Sequence, residues 1–216
     1  MTNRIYSAVA LAFLLCSSGC MHANKSSEPT FTVFDVETTG LSSSKDRIVE
    51  IAAVKTSFDG STQSKAWLIN PEKSIPRIAT GVHGITDEMV SQKPTFKKVF
   101  KKFRNFAGNS TLIAHNAAFD VRFINAETSR CGISPLKNKV IDSLKLFRKW
   151  YPFESSYSLA NLTNSLKVRT RKLHRGLTDS EAVYSIIKMA IRDEIKKQEL
   201  IKISQGNNHP ALIKFD

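Results

Sequence analysis

Asp35 and Glu37 stand two apart at the end of a short β-rich run, Phe31 to Val36. Side chains two apart on a strand share a face. Two carboxylates on one face repel each other unless a cation lies between them. Hard oxygen ligands of this kind suit Mg²⁺ or Mn²⁺. Alone, such a pair is more often a solvated strand end. Asp179 and Glu181 repeat the spacing on a helix, where the two side chains diverge. Two further features change the balance. Asp120 follows the apolar run Leu112-Ile113-Ala114, at the start of the next helix. His174 sits five before Asp179, in a loop that leads into the last long helix. His115 and Asp120 share that spacing, so the ordered set carries the signal: two acids on strand one, Asp after strand four, then His and Asp.

Phe34-Asp35-Val36-Glu37-Thr38-Thr39-Gly40 with Leu41, His115-Asn116-Ala117-Ala118-Phe119-Asp120, and His174 with Asp179 resemble the three motifs of the DEDDh (DnaQ-like) 3′–5′ exonuclease family. Their wording is closest to the proofreading epsilon subunits of bacterial DNA polymerase III. Val82-His83-Gly84-Ile85-Thr86 and Val140-Ile141-Asp142-Ser143-Leu144 are similar to connecting segments of that family, so the resemblance spans residues 30 to 195. The family usually has Ala where Gly176 and Ser180 stand.

The resemblance implies a ribonuclease H-like, three-layer α/β fold. It implies hydrolysis of terminal phosphodiesters of DNA or RNA from 3′ ends, single strands favoured, releasing nucleoside 5′-monophosphates. Asp35, Glu37, Asp120 and Asp179 would hold two divalent ions, Mg²⁺ or Mn²⁺, and His174 would be the general base. Four carboxylates match the charge of two such ions, which in-line hydrolysis places about 3.5–4 Å apart. An imidazole changes protonation near neutrality, which suits proton abstraction from water. Thr38, Thr39 and Leu41 are expected to hold the terminal nucleotide. His83 and Phe119 are expected either to touch its base or sugar or to pack, and Asn116 to orient the second motif. His115 reads as a packed strand-end residue and Asp142 as a helix cap.

A mixed five-stranded sheet flanked by helices is expected to position these groups. Phe31 to Val36, Arg47 to Lys55 and Lys65 to Asn70 read as an antiparallel meander, with Asp59-Gly60 turning between the last two. Phe96, Val99, Phe100, Phe103 and Phe106 fall at helical spacing. Thr111 to His115 is a fourth strand, and a helix from Ala118 to Cys131 is closed by Gly132. Val140-Ile141 is a fifth strand, parallel to the fourth. Helical segments follow at Ser143 to Trp150 and Ser158 to Leu166. One last helix is expected from Thr178 to Leu200, opened by a capping box of Thr178 and Glu181.

Residues 1–19 have a leader's grammar: Arg4, an apolar run from Ile5 to Leu15, then small residues. That reads as a secretory signal peptide, with Gly19-Cys20 resembling the end of a lipobox and Cys20 as the lipidated first residue. Ser17 stands where the lipobox pattern wants Leu. Export, to the periplasm or as a membrane-anchored lipoprotein, is expected, the alternative being a misread start on a cytoplasmic protein. Residues 20–29 read as a polar tether, 30–200 as the exonuclease domain and 201–216 as a loose tail. Three cysteines, Cys16, Cys20 and Cys131, exclude a disulfide framework and a Cys-based zinc site.

Lys and Arg number 32 against 19 Asp and Glu, a net charge of +13, which favours polyanionic partners. Lys167, Arg169, Arg171, Lys172 and Arg175 crowd the loop of His174, and Arg171 and Lys172 are expected to contact phosphates. Lys93 to Arg104 reads as a solvated helix face that adds long-range attraction. The leading reading is an exported 3′–5′ exonuclease. Its rivals are a cytoplasmic epsilon-like proofreading or repair exonuclease, with or without a polymerase partner, and a non-catalytic nucleic-acid-binding or membrane-tethered module on the same fold. No nucleotide cofactor is expected.

Overall fold

The computed structural model of the protein describes residues 29–171, 173–206 and 208–215. The first three strands, β1 (Phe31–Thr38), β2 (Ile48–Thr56) and β3 (Thr62–Leu68), form the expected meander. Two short helices missed in the sequence follow, α1 (Arg77–His83) and α2 (Asp87–Ser91), then α3 (Phe96–Ala107). β4 (Thr111–Ala114) lies parallel to β1, and β5 (Val140–Asp142) parallel to β4, with α4 (Ala118–Arg130) between them. The remaining elements are α5 (Ser143–Trp150), α6 (Leu159–Ser165), α7 (Gly176–Ala190), α8 (Glu194–Gln205) and β6 (Leu212–Ile213).

The sheet has six strands in the order β3-β2-β1-β4-β5-β6, one more than expected. The extra strand comes from residues 201–216. Instead of trailing as a loose tail, they supply the end of α8 and then β6, which pairs antiparallel with β5. The expected last helix is also two. α7 stops at Ala190, and Asp193 caps α8 by accepting from Ile195 and Lys196 N–H.

Strand alternation sorts β1 between two cores. Phe34 and Val36 pack with Phe96, Phe100 and Phe103 of α3 and Phe123 of α4. Phe31 and Val33 pack on the other face, with Phe147 of α5, Leu162 of α6 and Ile186 of α7. By the same period Asp35 and Glu37 point towards α7. The three layers thus meet at the carboxyl end of β1, where the acidic residues lie.

The start of α7 departs from the local signal. Thr178 is already helical, and the first residue is Gly176. Arg175, at the N-cap, makes no side-chain capping bond. The Gly176 N–H donates instead to the Glu50 carboxylate on β2, at 3.1 Å. A tertiary acceptor thus opens the helix two residues before the Thr178–Glu181 capping box that the local signal suggested.

Candidate active site

Asp35, Glu37 and Asp179 each offer a carboxylate oxygen, and these atoms lie within 4.8 Å of one another. The first two come from β1 and the third from the first turn of α7. Asp120 comes from the first turn of α4 and is 2% exposed. Its Oδ1 accepts from Val36 N–H at 3.1 Å, which binds the second motif to the first. Asp120 lies outside the three-carboxylate cluster but is the nearby charge that acts most strongly on Asp35.

The electrostatics match a cation site. Burial first, then the charges of Asp120, Glu37, Asp179 and Glu50, hold the Asp35 carboxyl well above its ordinary range. Burial, then Asp179 and Glu50, push Glu37 up to about 8. Asp120 is pushed to about 8 as well, chiefly by burial and against the Val36 hydrogen bond. Asp179 is raised by burial, with His174 opposing. Divalent cations would relieve this crowding. The all-oxygen donor set fits Mg²⁺ or Mn²⁺.

His174 is exposed and sits at φ 68°, in the left-handed region. Its N–H donates to both Asp179 oxygens, at 3.2 and 3.1 Å, so the two residues of the third motif share one turn.

Beside the cluster lies an apolar groove of about 390 Å³. Thr38, Thr39, Leu41, His83 and Phe119 all line it. Ile78 and Val82 of α1, missed in the sequence, line it too. Leu41 is 84% exposed and Ile78 86%, so both present apolar surface at the mouth of the groove. The groove floor is rigid. Thr38 Oγ1 donates to Gly40 O at 2.6 Å, and Thr39 Oγ1 donates to Asp46 at 3.2 Å. A Cβ on Gly40 would stand 2.5 Å from Asp46 Oδ2, so any larger residue here must displace the Asp46 side chain. His83 Nδ1 accepts from Ile85 N–H at 3.0 Å, which leaves Nε2 to donate to Thr38 O at 3.3 Å. Burial keeps its ring on the neutral side. His83 therefore tethers α1 to the end of β1 while one side faces the groove.

Two expected residues, Asn116 and Arg171, fall elsewhere. Asn116 does not line the groove. It takes φ 61°, and its N–H donates to Asp142 Oδ1 at 3.1 Å, which shapes the β4–α4 turn. Asp142 also caps α5 through Leu144 N–H, at 3.0 Å. Arg171 lines a separate groove with Arg169, Thr178 and Ser185 and pairs with Glu181 at 3.0 Å. Lys172 and Cys20 lie outside the described residues. His115 packs as expected, bonded to Ser143 Oγ at 3.1 Å and Tyr157 O at 2.8 Å. Among the described residues no helix is long and apolar enough to cross a membrane.

The residue that sequence reasoning missed is Glu50, opposite Glu37 in the β1–β2 register. It is the one acid in the apolar run Ile48 to Val54, and that interruption was the available signal.

Residues 32–187 match the Exonuclease family model. The chain belongs to the DnaQ-like exonuclease family. It is 36% identical over 169 residues to the DNA polymerase III subunit epsilon of Treponema pallidum, covering 77% of this chain and 79% of that one. It is 38% identical over 171 residues to the PolC-type DNA polymerase III of Bacillus cereus, over 79% of this chain but 12% of that much longer one. Exonuclease X, solved in complex with 5′-overhanging duplex DNA, superposes with a TM-score of 0.64 at 27% identity, covering 81% of this chain and 99% of that one. These structural neighbours carry the ribonuclease H-like fold. DnaQ-like exonucleases hydrolyse phosphodiesters from 3′ ends with divalent metals, and the chain is an enzyme of that class.

Proposed function

We propose that Asp35, Glu37, Asp120 and Asp179 hold two divalent ions, Mg²⁺ or Mn²⁺, and that His174 is the general base of 3′–5′ exonucleolysis. The observation that carries this reading is the convergence of three carboxylates from β1 and α7 beside an apolar groove of about 390 Å³. Ions held by these carboxylates would lower the pKa of the attacking water and neutralise charge at the leaving oxygen. His174 takes the proton of the attacking water. Its exposure leaves the ring free to pass that proton to solvent. Leu41, Ile78, Val82 and Phe119 hold the terminal base by apolar contact, and Thr38 and Thr39 fix the backbone beneath it. Arg169 and Arg171 extend the contact to phosphates further along the strand. Digestion of 3′-labelled single-stranded DNA and RNA, with Mg²⁺, with Mn²⁺ and with EDTA, tests the reading. Mononucleotide release that EDTA does not stop would overturn it.

A second proposal concerns the setting. The relatives named above are an epsilon subunit and a PolC-type polymerase, which favours a cytoplasmic proofreading or repair role with a polymerase partner over export. Export and membrane attachment through Cys20 rest on residues 1–20 alone, which lie outside the described residues. A fusion of residues 1–30 to a periplasm-dependent reporter decides between them, and an exported reporter would reverse the preference.

A further inference from the structure

Glu50 lies within an apolar stretch of β2 and is 2% exposed. A buried carboxylate is costly unless charge and hydrogen bonds meet its oxygens. Here they do. Oε1 accepts from the Arg175 guanidinium at 3.1 Å, and Oε2 from the Gly176 N–H at 3.1 Å. The donors are the N-cap of α7 and its first residue, 126 positions along the chain from Glu50 in the second case. His174 immediately precedes them, and Asp179 follows on the same turn. The His174 N–H closes that turn on the Asp179 carboxylate. The fit against β2 is tight: a Cβ on Gly176 would stand 3.0 Å from Ala52 Cβ and 3.1 Å from Glu50 Oε2. Glu50 is thus the charged link between the segment carrying His174 and Asp179 and the strand paired with β1, which carries Asp35 and Glu37.

We propose that Glu50 is a positioning residue of the exonuclease centre: with Arg175 it locks the start of α7 onto β2 and so sets where His174 and Asp179 stand against Asp35 and Glu37. The inference rests on the reading of those residues as the metal centre. Neither Glu50 nor Arg175 touches reacting atoms in this role. Partners that orient metal ligands in this way are typically worth 10–100-fold in metal affinity or activity. The rival role is charge alone, in which Glu50 attracts cations to the cluster and Arg175 repels them. The two roles predict opposite signs for the loss of Arg175.

The test uses the full chain as Glu50→Gln, Arg175→Gln and the double variant. Mn²⁺ binding is measured by calorimetry without nucleic acid, and kcat and KM on a labelled oligonucleotide at saturating Mn²⁺. Positioning predicts that each single variant weakens Mn²⁺ binding by about 10–100-fold. It also predicts that kcat falls with KM little changed, and that the double variant is no worse than the poorer single one. Amide exchange at residues 176–180 should accelerate. A charge-only role predicts tighter Mn²⁺ binding in Arg175→Gln and recovery in the double variant, and that result overturns the proposal. So does unchanged binding and kcat in both single variants. Should Glu50→Gln fail to fold, Glu50→Asp keeps the charge and withdraws the carboxylate by one methylene. Positioning predicts the same losses there, and wild-type behaviour would overturn it. Wild-type protein that takes up no Mn²⁺ would instead strike down the metal centre itself, and this inference with it.

Discussion

Glu37 and Glu50 face each other across the β1–β2 ladder, two acids directly opposed on the face that packs against α7. Like charges directly opposite destabilise a sheet. Arg175 pairs with Glu50 at 3.1 Å, while burial and the neighbouring acids push Glu37 up to about 8.

That imbalance predicts a pH-dependent stability. The Asp35, Glu37 and Asp120 carboxyls keep protons in the folded metal-free protein that the unfolded chain has already released. Stability of the metal-free protein therefore falls as pH rises from the ordinary carboxylate range towards 8. Saturating Mg²⁺ should flatten that decline. Melting temperatures across this range, with EDTA and with Mg²⁺, check it; a metal-free protein that gains stability over the range would contradict it.

Asp120→Asn should keep the fold and lose the activity. Asn retains an oxygen for the Val36 N–H but removes the charge. Turnover should drop by more than about 10³-fold, with the metal-free melting temperature unchanged or raised. Near-normal turnover would take Asp120 out of the metal set.

His174→Ala should lower kcat by about 10²–10⁴-fold while leaving Mn²⁺ binding intact. A phosphate-contacting role would instead raise KM, most visibly at high salt, at constant kcat.

Leu41→Ala should raise KM several-fold with no change in melting temperature. The side chain is 84% exposed, so its truncation removes little packing. A loss of stability would mean that Leu41 serves the fold rather than the substrate.

Gly40→Ala should cost about 1–3 kcal/mol, because the new Cβ displaces Asp46 from Thr39 and Ser42. For a domain of this size that is a fall of several degrees in melting temperature. An unchanged melting temperature would show that the Asp46 side chain moves aside freely.

Much of this was legible in the chain because the period matched the element. α3 buries four of the five residues that fall at helical spacing, Phe96, Val99, Phe100 and Phe103, and half-buries the fifth, Phe106. The alternation of β1 likewise placed Asp35 and Glu37 on one face. Where local pattern failed, a distant partner had replaced it. The start of α7 was misread because its first N–H is satisfied by Glu50, far away in sequence. The end of α7 was misread because apolar residues continue through the break to Asp193, with no Gly or Pro to mark it. β6 was invisible because two residues carry no period. α1 and α2 are one to two turns long, and α1 follows Pro76 without a side-chain cap. Glu50 drew no reading from the sequence, since its meaning depends on Arg175.

The three clustered carboxylates come from the first strand and from a helix near the far end of the chain. Nothing local brings them together; only completed tertiary structure does. Contacts so distant in sequence form late, after loop closure has been overcome. During refolding, helical signal should return before nuclease activity does. During synthesis, a nascent chain has no complete centre until α7 has left the ribosome and docked. The architecture thus delays assembly of the centre until α7 has packed against β1.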